Sequence, residues 1–235
     1  MHISYNGFIA PYTFQCPRSF WFKNIQKVLI AKPDEEIEDA DQEPSRRMRG
    51  ILLHSEIASY LKHEVDEFQF ATDTVEFFRN LPKEEVSIEE QSFFDIDFNS
   101  IPCKPEGTYI STRTDCTWLG PNEVIIVDWK FANHNYGIAH YRDELEFFIV
   151  GESAKNHEIG SWRPILHFVE QDYSVPLPLY TYNDIARLQQ RFLGRIDTIL
   201  NDKFYAPIPS QGRCGFCPYR SEDTGGSNTC EFTVV

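Results

Sequence analysis

The chain has 235 residues, 41% hydrophobic and 14% aromatic, enough to bury a substantial core and too apolar for a disordered segment, so one large globular domain is expected. No stretch reaches the roughly 18 apolar residues of a membrane span, and the opening MHISYNGFIAPY lacks the charged start and apolar middle of a secretory signal; a cytoplasmic protein with no membrane partner is expected. Thirty-six acidic against 22 basic residues give a formal charge of −14, a field that repels nucleic acid unless basic side chains cluster locally or divalent cations offset carboxylates.

In chain order, APYTFQCPRSFWFKNIQKVLI reads as a short turn and an aromatic-rich helix, followed by a solvated acidic loop, KPDEEIEDADQEPS. Ser45 is the expected N-cap of a helix through RRMRGILLHSEIASYLKH, in which Met48, Ile51, Leu52, Ala58 and Leu61 recur at helical spacing and His54 shares a face with Ala58 and Leu61. A second amphipathic helix, DEFQFATDTVEFFRNL, stops before Pro82. Strands are expected at VSIEEQSFF, TYISTRTDCTWL and EVIIVDWKF, the last two joined as a hairpin through Gly120, Pro121 and Asn122. IAHYRDELEFFIVG then reads as a helix and RPILHFVEQ as a strand with a proline-rich continuation. Asn183 is the expected cap of the helix DIARLQQRFLGRIDTILNDK, whose Ile185, Leu188, Phe192, Ile196 and Ile199 form a core stripe. The tail CGFCPYRSEDTGGSNTC is loop-like.

Alternation along EVIIVDWKF puts Asp128 and Lys130 on one face, an acid and a base inside an apolar run. On the preceding strand Tyr109, Ser111, Arg113, Asp115 and Thr117 form one set. A hairpin loop of two or four residues sets residue 115 opposite 126, placing Asp115 diagonal to Asp128 on the same face with Cβ atoms about 7 Å apart. Both carboxylates then reach one hard divalent cation, whose bound water is a nucleophile that a neighbouring lysine can hold. An isolated D-x-K is more simply an ion pair on the wet face of an edge strand. Glu90, on the Val86 and Ile88 side of its strand, is an even candidate for the same cleft.

Six cysteines in a reducing compartment are not expected to be a disulfide set. Cys214 and Cys217 form a C-x-x-C, followed after twelve residues by Cys230, with Cys16 far upstream; alone, such a pair suggests a zinc site or a redox couple. Cys103 and Cys116 have no partner at ligand spacing and are expected to be buried thiols.

Taken together, these residues resemble the RecB-like branch of the PD-(D/E)XK nucleases, and most closely its iron–sulfur members. The family's G-x-x-x-H is matched by Gly50 and His54, its first metal-binding Asp by Asp115, and its D-x-K by Asp128, Trp129 and Lys130. The resemblance implies a restriction-endonuclease-like α/β core, a central mixed sheet flanked by helices, with N- and C-terminal segments joined by a metal cluster. It implies a single nuclease domain over 1–235, comprising an N-terminal helical segment 1–45, a core 46–204 and a cluster-binding tail 205–235. It further implies that His54, Asp115, Asp128 and the Trp129 carbonyl hold Mn²⁺ or Mg²⁺, that Lys130 is catalytic, and that Cys16, Cys214, Cys217 and Cys230 bind a [4Fe-4S] cluster. The long gap before Cys230 leaves zinc as the alternative. The family's Q-x-x-x-Y helix is replaced here by Glu144-Leu-Glu-Phe-Phe148, which keeps the four-residue spacing and loses the polar chemistry; a core role for Phe147 or Phe148 is as good a reading as a DNA contact at Glu144.

Arg46, Arg47 and Arg49 at a helix start, Arg113 between the acids, and Arg18 and Lys23 are the basic side chains available to a phosphate backbone. Three arginines oppose the helix dipole at that end and suit an anionic partner. The leading expectation is a metal-dependent DNA nuclease with a structural [4Fe-4S] cluster, acting 5′ to 3′ on single-stranded DNA or free ends. The alternative is a non-catalytic nuclease-fold subunit that binds DNA or a partner protein, or a zinc-stabilised interaction protein.

Overall fold

The computed structural model describes residues 1–14, 16–26, 46–131, 138–175, 177–208, 217, 219 and 230, without the side chains of residues 22, 46, 47 and 140. The strands are β1 (His2–Ile3), β2 (Val86–Phe94), β3 (Ser100–Ile101), β4 (Tyr109–Leu119), β5 (Glu123–Lys130), β6 (Ser161–Phe168), β7 (Tyr173–Val175) and β8 (Tyr180–Thr181). The α-helices are α1 (Ala10–Phe14), α2 (Pro17–Phe20), α3 (Arg46–Leu61), α4 (Asp73–Arg79), α5 (Ile138–Lys155) and α6 (Tyr182–Asn201). Two compact units divide the chain, one built from Met1 and Glu43–Leu193, the other from His2–Gln42 with Gly194–Val235.

The larger unit is an α/β fold around a mixed sheet in the order β3-β2-β4-β5-β6-β7, with β8 beside β6. Only the β5–β6 pair in that order is parallel, and α5 supplies the crossover that a parallel pair needs. The hairpin between β4 and β5 closes on a two-residue turn, with the Gly120 amide donating to the Glu123 carbonyl at 3.0 Å. Gly120 is required there because a Cβ would lie 2.7 Å from the Trp118 ring. This turn pairs Thr117, not residue 115, with Ile126, and Cys116 with Val127. The ladder ends there, one step short of Asp115 and Asp128, so the register is two residues from the expected one.

The strand β5 lies in the middle of the sheet and is buried along Val124–Trp129, as its near-continuous apolar run requires. On one face Cys116, Ile125, Val127 and Trp129 pack with Ile57, Tyr60 and Leu61 of α3 and Val75 and Phe78 of α4. On the other, α5 comes close enough that a Cβ on Gly151 would meet the Thr112 methyl at 2.8 Å and the Phe94 ring at 3.1 Å. Phe147 of α5 makes edge contacts with Phe98 and Phe192.

Three local expectations change. In α3 the buried stripe is Leu53, Ile57, Ala58, Tyr60 and Leu61, whereas Met48, Ile51 and Leu52 are 39%, 55% and 47% exposed. The helix expected from Asp66 begins only at Asp73, because the Thr72 hydroxyl caps it by accepting from the Val75 amide at 3.3 Å. Asn183 lies within α6 rather than ahead of it, and the Asp184 carboxylate takes the Thr181 amide at 3.0 Å. The expected stripe of α6, Ile185, Leu188, Phe192, Ile196 and Ile199, is buried throughout. Ser45 lies outside the described residues.

In the smaller unit the Ser4 side chain caps the first turn by accepting from the Gly7 amide at 3.2 Å. Phe20 packs edge-on to Phe8 and Tyr12 and stacks on Tyr205. The Tyr12 hydroxyl donates to Asp202 at 2.6 Å, and burial with that carboxylate pushes its pKa up to about 12. Early and late segments of the chain are thus fastened by an aromatic cluster and a charge-assisted bond.

His167 of β6 is fully buried, with Nε2 3.1 Å from the Thr72 hydroxyl and Nδ1 2.9 Å from the Ser174 hydroxyl. Burial lowers its pKa, with Asp172 opposing weakly at 3.9 Å. The folded state therefore holds the neutral ring while the unfolded chain takes up a proton at about pH 6.5, so this contribution is complete above that pH and declines below it. Urea midpoints are expected to drop between pH 7.5 and 5.5, and a His167→Gln variant is expected to show a smaller drop. An undiminished drop in the variant would assign the acid sensitivity elsewhere.

Candidate metal centre

Strand pairing brings the acids together, and one local irregularity aims them. Along β2 and β4, Ile88 pairs with Cys116 and Glu90 with Thr114, so Glu89 sits across from Asp115. Glu89 has φ 55°, a left-handed conformation uncommon for a non-glycine residue and costly inside a strand. Across from it, alternation slips in β4, where the hydroxyls of Thr114 and Thr117, three residues apart, hydrogen-bond at 3.0 Å although an uninterrupted strand would face them oppositely. Where a regular ladder would continue, the Asp115 carboxylate accepts the Trp129 amide at 2.8 Å.

One turn ahead of the buried Ile57 of α3, His54 completes the group. Its Nδ1 is 3.5 Å from Asp115 Oδ2 and 3.9 Å from Glu89 Oε1, and ligand atoms of His54, Glu89 and Asp115 all lie within 4.8 Å of one another. The Phe131 ring stands edge-on to the imidazole at 5.3 Å.

Burial lowers the pKa of His54, with Asp128 raising it and Lys130 lowering it less strongly, so the ring is neutral at neutral pH and has a lone pair to offer. Burial, then the charge of Asp128, raises Asp115 well above the usual carboxylate range. Lys130 would be lowered by burial alone; Asp128, Glu144 and Asp115 more than reverse this and raise it. Its Nζ lies 2.7 Å from Asp128 Oδ2 and 3.9 Å from Glu144 Oε2. The Arg113 guanidinium lies 2.7 Å from Glu89. Four carboxylates, Glu89, Asp115, Asp128 and Glu144, face two cationic side chains; with all four ionised a surplus of two negative charges remains, which one divalent cation would neutralise in place of the proton that burial favours on Asp115. One imidazole nitrogen and two carboxylate oxygens suit such an ion and leave coordination positions open for water or a partner's oxygen.

Several expected site residues stand differently. Glu89, which stands across from Asp115, is in the group; Glu90 instead pairs with Lys155 at 3.1 Å. Asp128 is buried beside the group but paired with Lys130, so the converging ligands depart from the PD-(D/E)XK set of His54, Asp115 and Asp128. Trp129 meets the centre through its amide, its indole being in the core. Glu144 is buried, which removes it as a surface contact to DNA, and Phe147 and Phe148 are core residues. Arg49 pairs with Glu170 at 2.7 Å; the side chains of Arg46 and Arg47 lie outside the described residues.

The iron–sulfur expectation is corrected, and with it the cluster-bearing exonuclease. Among the described residues Cys16, Cys217 and Cys230 are not in disulfides and form no three-ligand group, and the converging ligands are a histidine and two carboxylates, a hard donor set unlike the thiolates such a cluster needs. The same observation removes a cysteine-held zinc ion from the described residues. Cys214 lies outside them. Cys116 is buried, and burial raises its pKa, whereas Cys103 is exposed, contrary to expectation.

No family model and no curated protein matches the chain significantly. Twelve chains of solved structure match, among them one described as "Crystal structure of SSO0001", 14% identical, covering 100% of this chain and 88% of that one at a TM-score of 0.47. A likeness of that grade bears on neither fold nor function. No described helix is long and apolar enough to cross a membrane.

The geometry makes the ligand group testable by thermal shift. Mn²⁺ at a hundredfold excess over its dissociation constant is expected to stabilise the fold by about 2.7 kcal/mol, raising Tm by roughly 5–10 °C for a chain of this size. Glu89→Gln and Asp115→Asn are each expected to abolish the rise, and Glu90→Gln to retain it. A rise that survives Glu89→Gln would remove Glu89 from the ligand set.

Proposed function

We propose that this protein is a non-catalytic subunit of nuclease-like architecture that carries a divalent cation at His54, Glu89 and Asp115 and docks a protein partner. The convergence of those three side chains carries the reading. Two further features support a protein partner over DNA. Arg49 and Arg113, two of the described side chains expected to track a phosphate backbone, are each engaged by a carboxylate, on a chain of net charge −14. Met48, Ile51 and Leu52 expose apolar surface on the turns of α3 just before His54, composition that suits a protein interface. The resemblance to the RecB-like nucleases and the single-domain organisation stand with this reading as proposals.

Hydrolysis of a phosphodiester by water on the bound ion is the outcome that would overturn this reading, since the Lys130 ammonium lies beside the centre, joined to Asp128. It needs no cysteine cluster. The two readings separate by one assay. End-labelled single- and double-stranded DNA incubated with the protein and Mn²⁺ is expected to stay intact and to show no saturable binding at physiological salt. Cleavage that Lys130→Ala abolishes would replace the subunit reading with the hydrolytic one.

A further inference from the structure

Lys130 lies between acids on two different elements. Its Nζ is 2.8 Å from Asp128 Oδ1 and 2.7 Å from Oδ2 on β5, and 3.9 Å from Glu144 Oε2 on α5. The Tyr141 ring, one turn before Glu144, lies 4.6 Å from the same nitrogen and gives the ammonium a second favourable neighbour on that helix. Straddling the carboxylate, Lys130 makes a directed hydrogen bond to Oδ1 and leaves Oδ2 buried without one. Asp128 therefore keeps an acceptor site whose only neutralisation is the nearby positive charge.

Three acids of the centre have a partner within the protein: Arg113 for Glu89, the Trp129 amide for Asp115, and Lys130 for Asp128. An ion held by His54, Glu89 and Asp115 repels the ammonium beside it. A buried ammonium leaving its carboxylate is strongly disfavoured unless a second carboxylate receives it. Glu144, 5% exposed and within a short side-chain movement, is such a carboxylate.

The geometry points to a hand-over: Glu144 is a positioning residue that receives the Lys130 ammonium from Asp128 when a divalent cation loads, so that Asp128 Oδ2 becomes a fourth protein ligand. The inference rests on the cation-binding reading above and assigns Glu144, an acid where the resembled family carries glutamine, a role exercised through Lys130. In Glu144→Gln the ammonium has no second carboxylate and stays on Asp128, in competition with the ion. In Lys130→Met that competition is gone and Glu144 no longer matters.

Mn²⁺ binding to the full chain, measured by calorimetry and by electron paramagnetic resonance of free Mn²⁺, tests this as a double-mutant cycle. Glu144→Gln is expected to weaken binding about tenfold and Glu144→Asp to restore most of it, while Lys130→Met binds at least as tightly as wild type. In the Lys130→Met background, Glu144→Gln is expected to change affinity by less than about threefold. Circular dichroism establishes that each variant is folded, and Lys130→Gln carries the cycle if the Met variant is not. An equal loss in both backgrounds, or no loss in either, overturns the hand-over alone. Absence of Mn²⁺ uptake by the wild-type chain overturns both the hand-over and the cation-binding reading.

Discussion

The centre of this molecule depends on carboxylates held out of water. Asp128 and Glu144 are buried, and Glu89 and Asp115 are partly so, within reach of one imidazole and two cationic side chains. An isolated ionised carboxylate in such surroundings is strongly disfavoured, and the protein has three responses: pair it, protonate it, or bring in a cation. All three bear on this centre. Asp128 is paired with Lys130, Asp115 is pushed toward its protonated form, and the surplus of two that all four ionised carboxylates would leave is of the size one divalent ion removes. Most of the local architecture can be read as the means of maintaining that balance.

The helix α3 joins the centre to the core. Ile57 and Leu61 lie three and seven residues after His54, so burying them against β4 and β5 fixes the helix rotation that presents the imidazole to Asp115. A histidine on a loop would have to lose more conformational freedom on binding an ion. On α3 that ordering is already supplied by burial of its apolar neighbours. Core packing and ligand geometry are for this reason a single constraint, and a cavity at Ile57 would disturb the centre without touching it.

Much of the sheet was legible because its strands obey simple rules. The runs that became β2, β4, β5 and β6 carry β-branched and aromatic residues bounded by turn chemistry, and an even-length turn follows Gly120 as expected. The exact register was not legible, since a two-residue shift preserves the face and changes only which residues stand level. Glu89 was invisible for a different reason. Its set could not be matched to Asp115's without the β2–β4 register, and the left-handed backbone at that one residue, which aims its carboxylate, follows from no local pattern. Strain of this kind is set by the surrounding sheet and has no mark in the local sequence beyond the adjacent pair Glu89 and Glu90.

The cysteine expectation failed in an instructive way. Spacing between Cys214, Cys217 and Cys230 records how far the chain can reach, not where it goes, and a distant fourth ligand at Cys16 adds a closure that no local signal enforces. The smaller unit shows other forces at work on the same segments: the Phe20 stack on Tyr205 and the Tyr12 bond to Asp202 already hold early and late residues together. With apolar contact and a charge-assisted bond in that role, a cluster is not needed to explain why those segments meet. A pattern of ligand residues therefore points to a metal only where the fold also removes them from water and leaves their charge unbalanced. In the described part of this chain, that condition is met around His54, Glu89 and Asp115.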